Sequence, residues 1–121
     1  IQTFGLAAFR RAIAGGIELA ERAEAYVRSS ELLEITAPAS LGVVCFRFNP
    51  RGSGRSSEHL ERVNAGVQRM LMESSIAMTS STRLRGVYSL RFCILNYRTT
   101  WDDVLMTLRA IERFGRELDA G

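Results

Sequence analysis

The chain contains no lysine: all sixteen of its basic residues are arginine. Within these residues that excludes every chemistry needing a side-chain primary amine, such as a Schiff base to a carbonyl or the lysine of a phosphate-binding loop. Histidine occurs once, at His59, and cysteine twice, at Cys45 and Cys93. No Cys/His spacing fits a zinc site. Two cysteines, both inside apolar runs, are too few for a disulfide framework, and they read as buried free thiols of a cytoplasmic protein. No apolar run approaches the roughly 20 residues of a membrane-spanning helix, so no membrane partner is expected. The first residues show neither a charged n-region nor a cleavage site. They start in mid-helix pattern, and Ile1 is expected to mark a cut end or a domain boundary. No G-x-S-x-G elbow occurs. Gly52-Ser53-Gly54 lacks the third glycine and the strand-to-helix setting of a dinucleotide fingerprint.

What is present describes one globular domain over residues 1–121. The hydrophobic fraction is 46% and the charged fraction 24%, close to the globular average. The net charge of +3 comes from arginines spread along the chain with acids between them, which does not suit a nucleic-acid-binding patch.

Residues 3–29 carry a helical stripe of Leu6, Phe9, Ile13, Ile17, Ala20 and Val27, with Gly15-Gly16 as a site for a kink or a close approach. Residues 32–36 form a short strand, Ala37-Pro38-Ala39-Ser40 a turn, and residues 41–48 a stronger strand. A polar loop over 49–57 leads into a helix over about 57–74, capped by Ser56 or Ser57, with Leu60, Val63, Val67, Met70 and Leu71 as its stripe. His59, beside Glu58 at its start, reads as a surface residue. Residues 76–82 and 87–95 read as a β-hairpin joined through Arg85-Gly86. Thr100 with Asp103 forms a capping box for a last helix to about residue 118, and Asp102-Asp103 places negative charge where the helix dipole favours it. The order α-ββ-α-ββ-α predicts an α+β fold: an antiparallel sheet of about four strands with helices on one face.

Strand alternation splits that sheet into two unlike faces. Val44, Phe46 and Phe48 share one face with Tyr88, Leu90, Phe92 and Ile94, and suit the helices. Val43, Cys45 and Arg47 share the other with Ser89, Arg91 and Cys93. Small residues beside arginine predict a surface covered by another domain rather than one left to water.

Two stretches carry a family resemblance. Ser40-Leu41-Gly42-Val43-Val44-Cys45-Phe46-Arg47-Phe48 resembles one signature strand of the group II pyridoxal-phosphate decarboxylases, in the aromatic-L-amino-acid decarboxylase branch. The run Val87-Tyr88-Ser89-Leu90-Arg91-Phe92-Cys93-Ile94-Leu95-Asn96-Tyr97-Arg98-Thr99-Thr100 resembles a second. Glu61-Arg62-Val63-Asn64-Ala65 between them, and Phe4-Gly5-Leu6-Ala7-Ala8-Phe9-Arg10 before them, fall in register.

The resemblance implies the C-terminal small domain of a fold-type-I enzyme, acting on an L-amino acid, aromatic at the family level. It implies a homodimer whose large domain holds pyridoxal 5'-phosphate through a lysine. The cofactor is the electron sink for the carbanion left by loss of CO2. With no lysine, the chain alone is expected to be catalytically incompetent. The large domain of the same polypeptide is then its partner, docked through Arg47, Ser89 and Cys93, with Cys45 on the same face. Arg91 has two readings. It faces the active site and forks onto a substrate carboxylate, or it pairs with a large-domain carboxylate and holds the interface. Asn96, Tyr97 and Arg98 match the family and position the chain before the last helix. The hydroxyls of 78–82 lie on the strand leading into the hairpin. The alternative is a stand-alone, non-catalytic binding or dimerisation module derived from the same domain.

Overall fold

The computed structural model describes residues 2–52, 54–76, 79–94 and 99–120. Its elements are α1 (Gln2–Ser29), β1 (Leu33–Ser40), β2 (Val43–Phe48), α2 (Ser57–Glu73), β3 (Thr79–Leu84), β4 (Val87–Cys93) and α3 (Trp101–Ala120). The four strands form one antiparallel sheet in the order β1-β2-β4-β3. The predicted α+β order and strand number hold.

The apolar faces of β2 and β4 are the sheet's half of the core: Val44, Phe46, Phe48, Leu90 and Phe92 are fully buried. The helices supply Ala20, Ala23 and Val27 from α1, Val63, Val67 and Leu71 from α2, and Val104, Leu108 and Ile111 from α3. Two amides on α2 fasten this layer to the strands. Asn64, fully buried, accepts from the Phe48 N–H at 2.7 Å and donates to the carbonyls of Phe48 and Leu60 at 3.0 and 2.7 Å. One turn later, Gln68 donates to the Thr79 carbonyl at 3.0 Å and accepts from its hydroxyl at 2.9 Å. Buried polar side chains are tolerated here because each is satisfied.

The helix signals act as expected. Ser56 caps α2 by accepting from the His59 N–H. Thr100 and Asp103 exchange the reciprocal bonds of a capping box, from the Thr100 N–H at 3.0 Å and the Asp103 N–H at 3.3 Å.

Two expectations need correction. Residues 37–40 are not a turn: β1 runs through Pro38 to Ser40, and the turn is Leu41-Gly42, with φ of 51° and 84°. Pro38 is accommodated because β1 is an edge strand, with register shifts on both sides of Ala37. The apolar stripe of α1 is also not buried along its length. Ala20, Ala23 and Val27 are in the core, Ile13 and Ile17 are half-buried, and Leu6 is 48% exposed. A helix of 28 residues spans about 42 Å, whereas the eight residues of β1 span about 27 Å. The N-terminal part of α1 therefore overhangs the sheet. A Cβ added at Gly15 would meet nothing within 4 Å, whereas Gly16 is buried. Ser53, Met78, Leu95, Asn96, Tyr97 and Arg98 lie outside the described residues.

Candidate docking and active-site face

With all three helices on the apolar side, the opposite side of the sheet carries no secondary-structure layer among the described residues. Cross-strand register places Cys45 of β2 opposite Arg91 of β4, and Val43 opposite Cys93. On the other side of β4, Ser80 and Thr82 of β3 stand opposite Arg91 and Ser89. The face predicted from alternation alone is thus assembled, with Arg91 at its centre.

Exposure varies sharply across it. Arg91 is exposed, Cys93 and Arg47 are half-buried, Cys45 is only 7% exposed, and Ser89 is fully buried. The Ser89 hydroxyl donates to the Val87 carbonyl at 3.3 Å, so it is already engaged within its own strand. Burial pushes the Cys45 thiol above its ordinary pKa, and the neighbouring Arg91 charge only partly opposes this. Cys45 is therefore a neutral packing group, not a nucleophile.

The two arginines differ in kind. Arg47 donates from Nε to Glu34 Oε1 at 2.5 Å, and Asn49 donates to the same oxygen at 3.2 Å. Burial acts to raise the Glu34 pKa, but these bonds and the Arg47 charge outweigh it and hold the carboxyl below its ordinary range. Arg47 is thereby neutralised. Arg91 has no carboxylate partner among the described residues. A cavity of about 600 Å³ at one end of the face is lined by Glu34, Thr36, Pro38, Arg47, Leu84 and Arg85, among others. The Thr36 hydroxyl is buried without a partner.

Chemically, this face offers a guanidinium able to fork onto a carboxylate, over a floor of small, inert side chains. No group of three or more metal-ligating side chains occurs among the described residues. Nor do these residues fit a covalent hold on pyridoxal phosphate, because no lysine exists in the chain. No reaction step is therefore routed through them.

A second polar cluster escaped the sequence reading. Asp119, near the end of α3, accepts from Arg55 Nε at 2.6 Å and lies 2.7 Å from His59 Nε2. His59 is thus partly covered and engaged rather than a free surface residue. Only the antiparallel packing of α2 on α3 brings these positions together, and no local sequence signal announces it.

No protein-family model matches the chain. Among curated proteins, it is 34% identical over 117 residues to an aromatic-L-amino-acid decarboxylase of Bacillus atrophaeus, covering 97% of this chain and 24% of that one. It is 29% identical to tyrosine decarboxylase 1 of Narcissus pseudonarcissus, covering 98% and 24%. Among solved structures, the tryptophan decarboxylase of Catharanthus roseus in complex with L-tryptophan matches with a TM-score of 0.75 and 27% identity over 88% of this chain and 22% of that one. The Oryza sativa TDC with PLP shares the fold, with a TM-score of 0.84 at 22% identity over 98% and 25%. The chain spans about a quarter of the length of these relatives. No helix of the described residues is long and apolar enough to cross a membrane. The chain matches a C-terminal region of the group II pyridoxal-phosphate-dependent decarboxylases, the group that includes the aromatic-L-amino-acid decarboxylases.

Proposed function

We propose that this chain serves as the C-terminal small domain of a pyridoxal-phosphate-dependent L-amino-acid decarboxylase. It closes one side of the active site and docks on a large cofactor-holding domain of the same polypeptide. The observation that carries the reading is the 34% identity to a decarboxylase along 97% of the chain. The exposed Arg91 on a helix-free sheet face supports it.

In this reading Arg47, Ser89 and Cys93 belong to the domain interface. Arg47 and Cys93 supply contact, whereas Ser89 acts from beneath as part of the floor. Arg91 points at the active site. The whole enzyme works as a cytoplasmic homodimer. Its substrate is an aromatic L-amino acid, the class named for several relatives. Other relatives are a histidine decarboxylase of Drosophila melanogaster and an L-2,4-diaminobutyrate decarboxylase of Rhizobium meliloti. One small-domain framework thus accompanies several substrates, so the choice of substrate is made mainly by the large domain and the partner subunit. The chain alone does not decarboxylate, since the covalent step needs an amine that it lacks.

The test uses the parent gene. The polypeptide encoded with its upstream sequence should release CO2 from L-tryptophan or L-tyrosine in the presence of pyridoxal phosphate. The 121-residue chain alone should release none and keep no borohydride-fixed adduct after dialysis. Upstream sequence without a lysine-bearing cofactor domain would sink the reading in favour of a stand-alone binding module. So would an adduct mapped to a side chain of this chain.

A further inference from the structure

Both hairpins of the sheet close through a two-residue turn with positive φ at each central residue. Leu41-Gly42 joins β1 to β2, with Ser40 opposite Val43 and φ of 51° and 84°. Arg85-Gly86 joins β3 to β4, with Leu84 opposite Val87 and φ of 52° and 83°. Glycine suits the second place of such a turn. The first place, also left-handed, favours Asn, Asp or Gly, because a Cβ there crowds the following carbonyl. Both turns therefore carry backbone strain at their first residue.

Arg85 and Leu41 differ in what they gain for it. Arg85 is exposed, and a charged head on an apolar stem is at home in water. Leu41 is 74% exposed, more than any other large apolar side chain among the described residues. An exposed leucine by itself is ordinary. A leucine that is both strained and uncovered gains nothing within this chain: it forgoes a favoured turn residue and buries no side chain in return. Such an outlier points to a use outside the chain.

The place of the turn in the sheet narrows that use. The Gly42 carbonyl accepts from the Ile94 N–H at 2.8 Å, which holds the turn to the end of β4. Val43, the next residue, stands opposite Cys93, on the side of the sheet that carries Cys45 and Arg91. Leu41 thus stands on the rim of the helix-free face. The Arg85 turn is at the opposite end of the sheet, because β2 and β4 run antiparallel. One side chain buries far too little area to hold a separate molecule, for which about 800 Å² per partner is usual. It is captured only by a body already held close, as a tether holds it. The relatives, of which this chain matches about a quarter, have the length for such a body.

We propose that Leu41 is a docking knob, held out by its strained turn and buried in an apolar pocket of the large cofactor-holding domain of the same polypeptide. The inference rests on the decarboxylase reading and adds to it a rim contact beyond Arg47, Ser89 and Cys93. Burial against the large domain offsets the strain that the chain alone leaves uncompensated. A two-residue turn also presents the leucine without the ordering cost of a flexible loop.

The chain and its full-length parent are compared with the same substitutions. With Leu41→Cys, maleimide labelling at position 41 is followed by peptide mapping. Labelling should be rapid in the 121-residue chain and at least about tenfold slower in the parent, where only local opening exposes the site. Leu41→Asn replaces a poor turn residue with a favoured one and removes the knob. It should raise the melting temperature of the chain by about 3–6 °C and lower that of the parent. Circular dichroism establishes that each variant keeps its fold, and if Leu41→Cys does not, Leu41→Asn decides alone. Equal labelling in chain and parent, or a rise in melting temperature in both, overturns the proposal while the unsubstituted parent still decarboxylates. A parent that decarboxylates no amino acid fails the functional reading itself, and the knob with it.

Discussion

A Cβ on Gly115 would lie inside the van der Waals envelope of the Phe48 ring, which is itself fully buried with nowhere to go. At Gly66 the nearest obstacle is the far end of Leu118, 2.7 Å away on a half-buried and flexible side chain. Both glycines sit within helices, where alanine is intrinsically favoured by about 1 kcal/mol. Overpacking a rigid site costs about 1–3 kcal/mol, so the two substitutions should part company. Gly115→Ala is expected to lower unfolding stability by about 1–2 kcal/mol, net of the propensity gain. Gly66→Ala is expected to be neutral or to raise stability by up to about 1 kcal/mol. Urea unfolding of both variants decides this, and equal losses would mean that Leu118 is as fixed as Phe48.

The tie between α2 and α3 is mainly apolar, but at one end it is fastened by Asp119. The Arg55 bond is the largest influence holding the Asp119 carboxyl below its ordinary pKa; burial opposes it, and the His59 bond adds to it. A depressed carboxyl contributes stability that is present above its unfolded pKa and is lost as pH falls through its folded one. Asp119→Asn should therefore cost about 1 kcal/mol at pH 5. That difference should shrink as pH falls from the ordinary value of 3.8 through the lowered folded one, because first the unfolded chain and then the folded carboxylate takes up the proton. Thermal melts of both proteins across this range test the claim; a difference independent of pH would leave Asp119 a mere packing residue. This clasp also marks where sequence reading stops. Elements with a local signal were legible: the Thr100–Asp103 box, the Ser56 cap and the Arg85-Gly86 turn all stand where their residue types place them. The end of β1 is not legible locally, because proline is a turn signal in isolation and an edge-strand residue in context. The overhang of α1 was missed because periodicity reports which side of a helix is apolar, not how far its partner extends. Asp119 and His59 lie sixty residues apart, and only tertiary packing makes them neighbours.

For the molecule as a whole, the informative feature is that one side of the sheet is a core and the other holds an arginine over small side chains. Alternation in two strands was enough to foresee that division and to put Cys45, Arg47, Ser89, Arg91 and Cys93 on one side. It could not foresee that Ser89 would be buried or that Arg47 would already be paired with Glu34. Those two facts leave Arg91 as the face's distinctive polar group. They separate it from Cys45, its direct cross-strand neighbour, whose thiol is neutral and nearly covered. If the face lines the active site of a decarboxylase, removing the guanidinium acts on catalysis, whereas trimming the thiol acts on packing. In the full-length parent enzyme, Arg91→Ala should lower kcat/KM for decarboxylation by at least about tenfold, or about 1.4 kcal/mol. Cys45→Ala should leave kcat/KM within about threefold and instead lower the melting temperature modestly. Steady-state CO2 release, measured well below both melting transitions, distinguishes the two. Rescue of the Arg91→Ala enzyme by free guanidinium would place the lost charge at the reacting end of the face. Equal and small effects of the two substitutions would make Arg91 a structural residue of the domain seam.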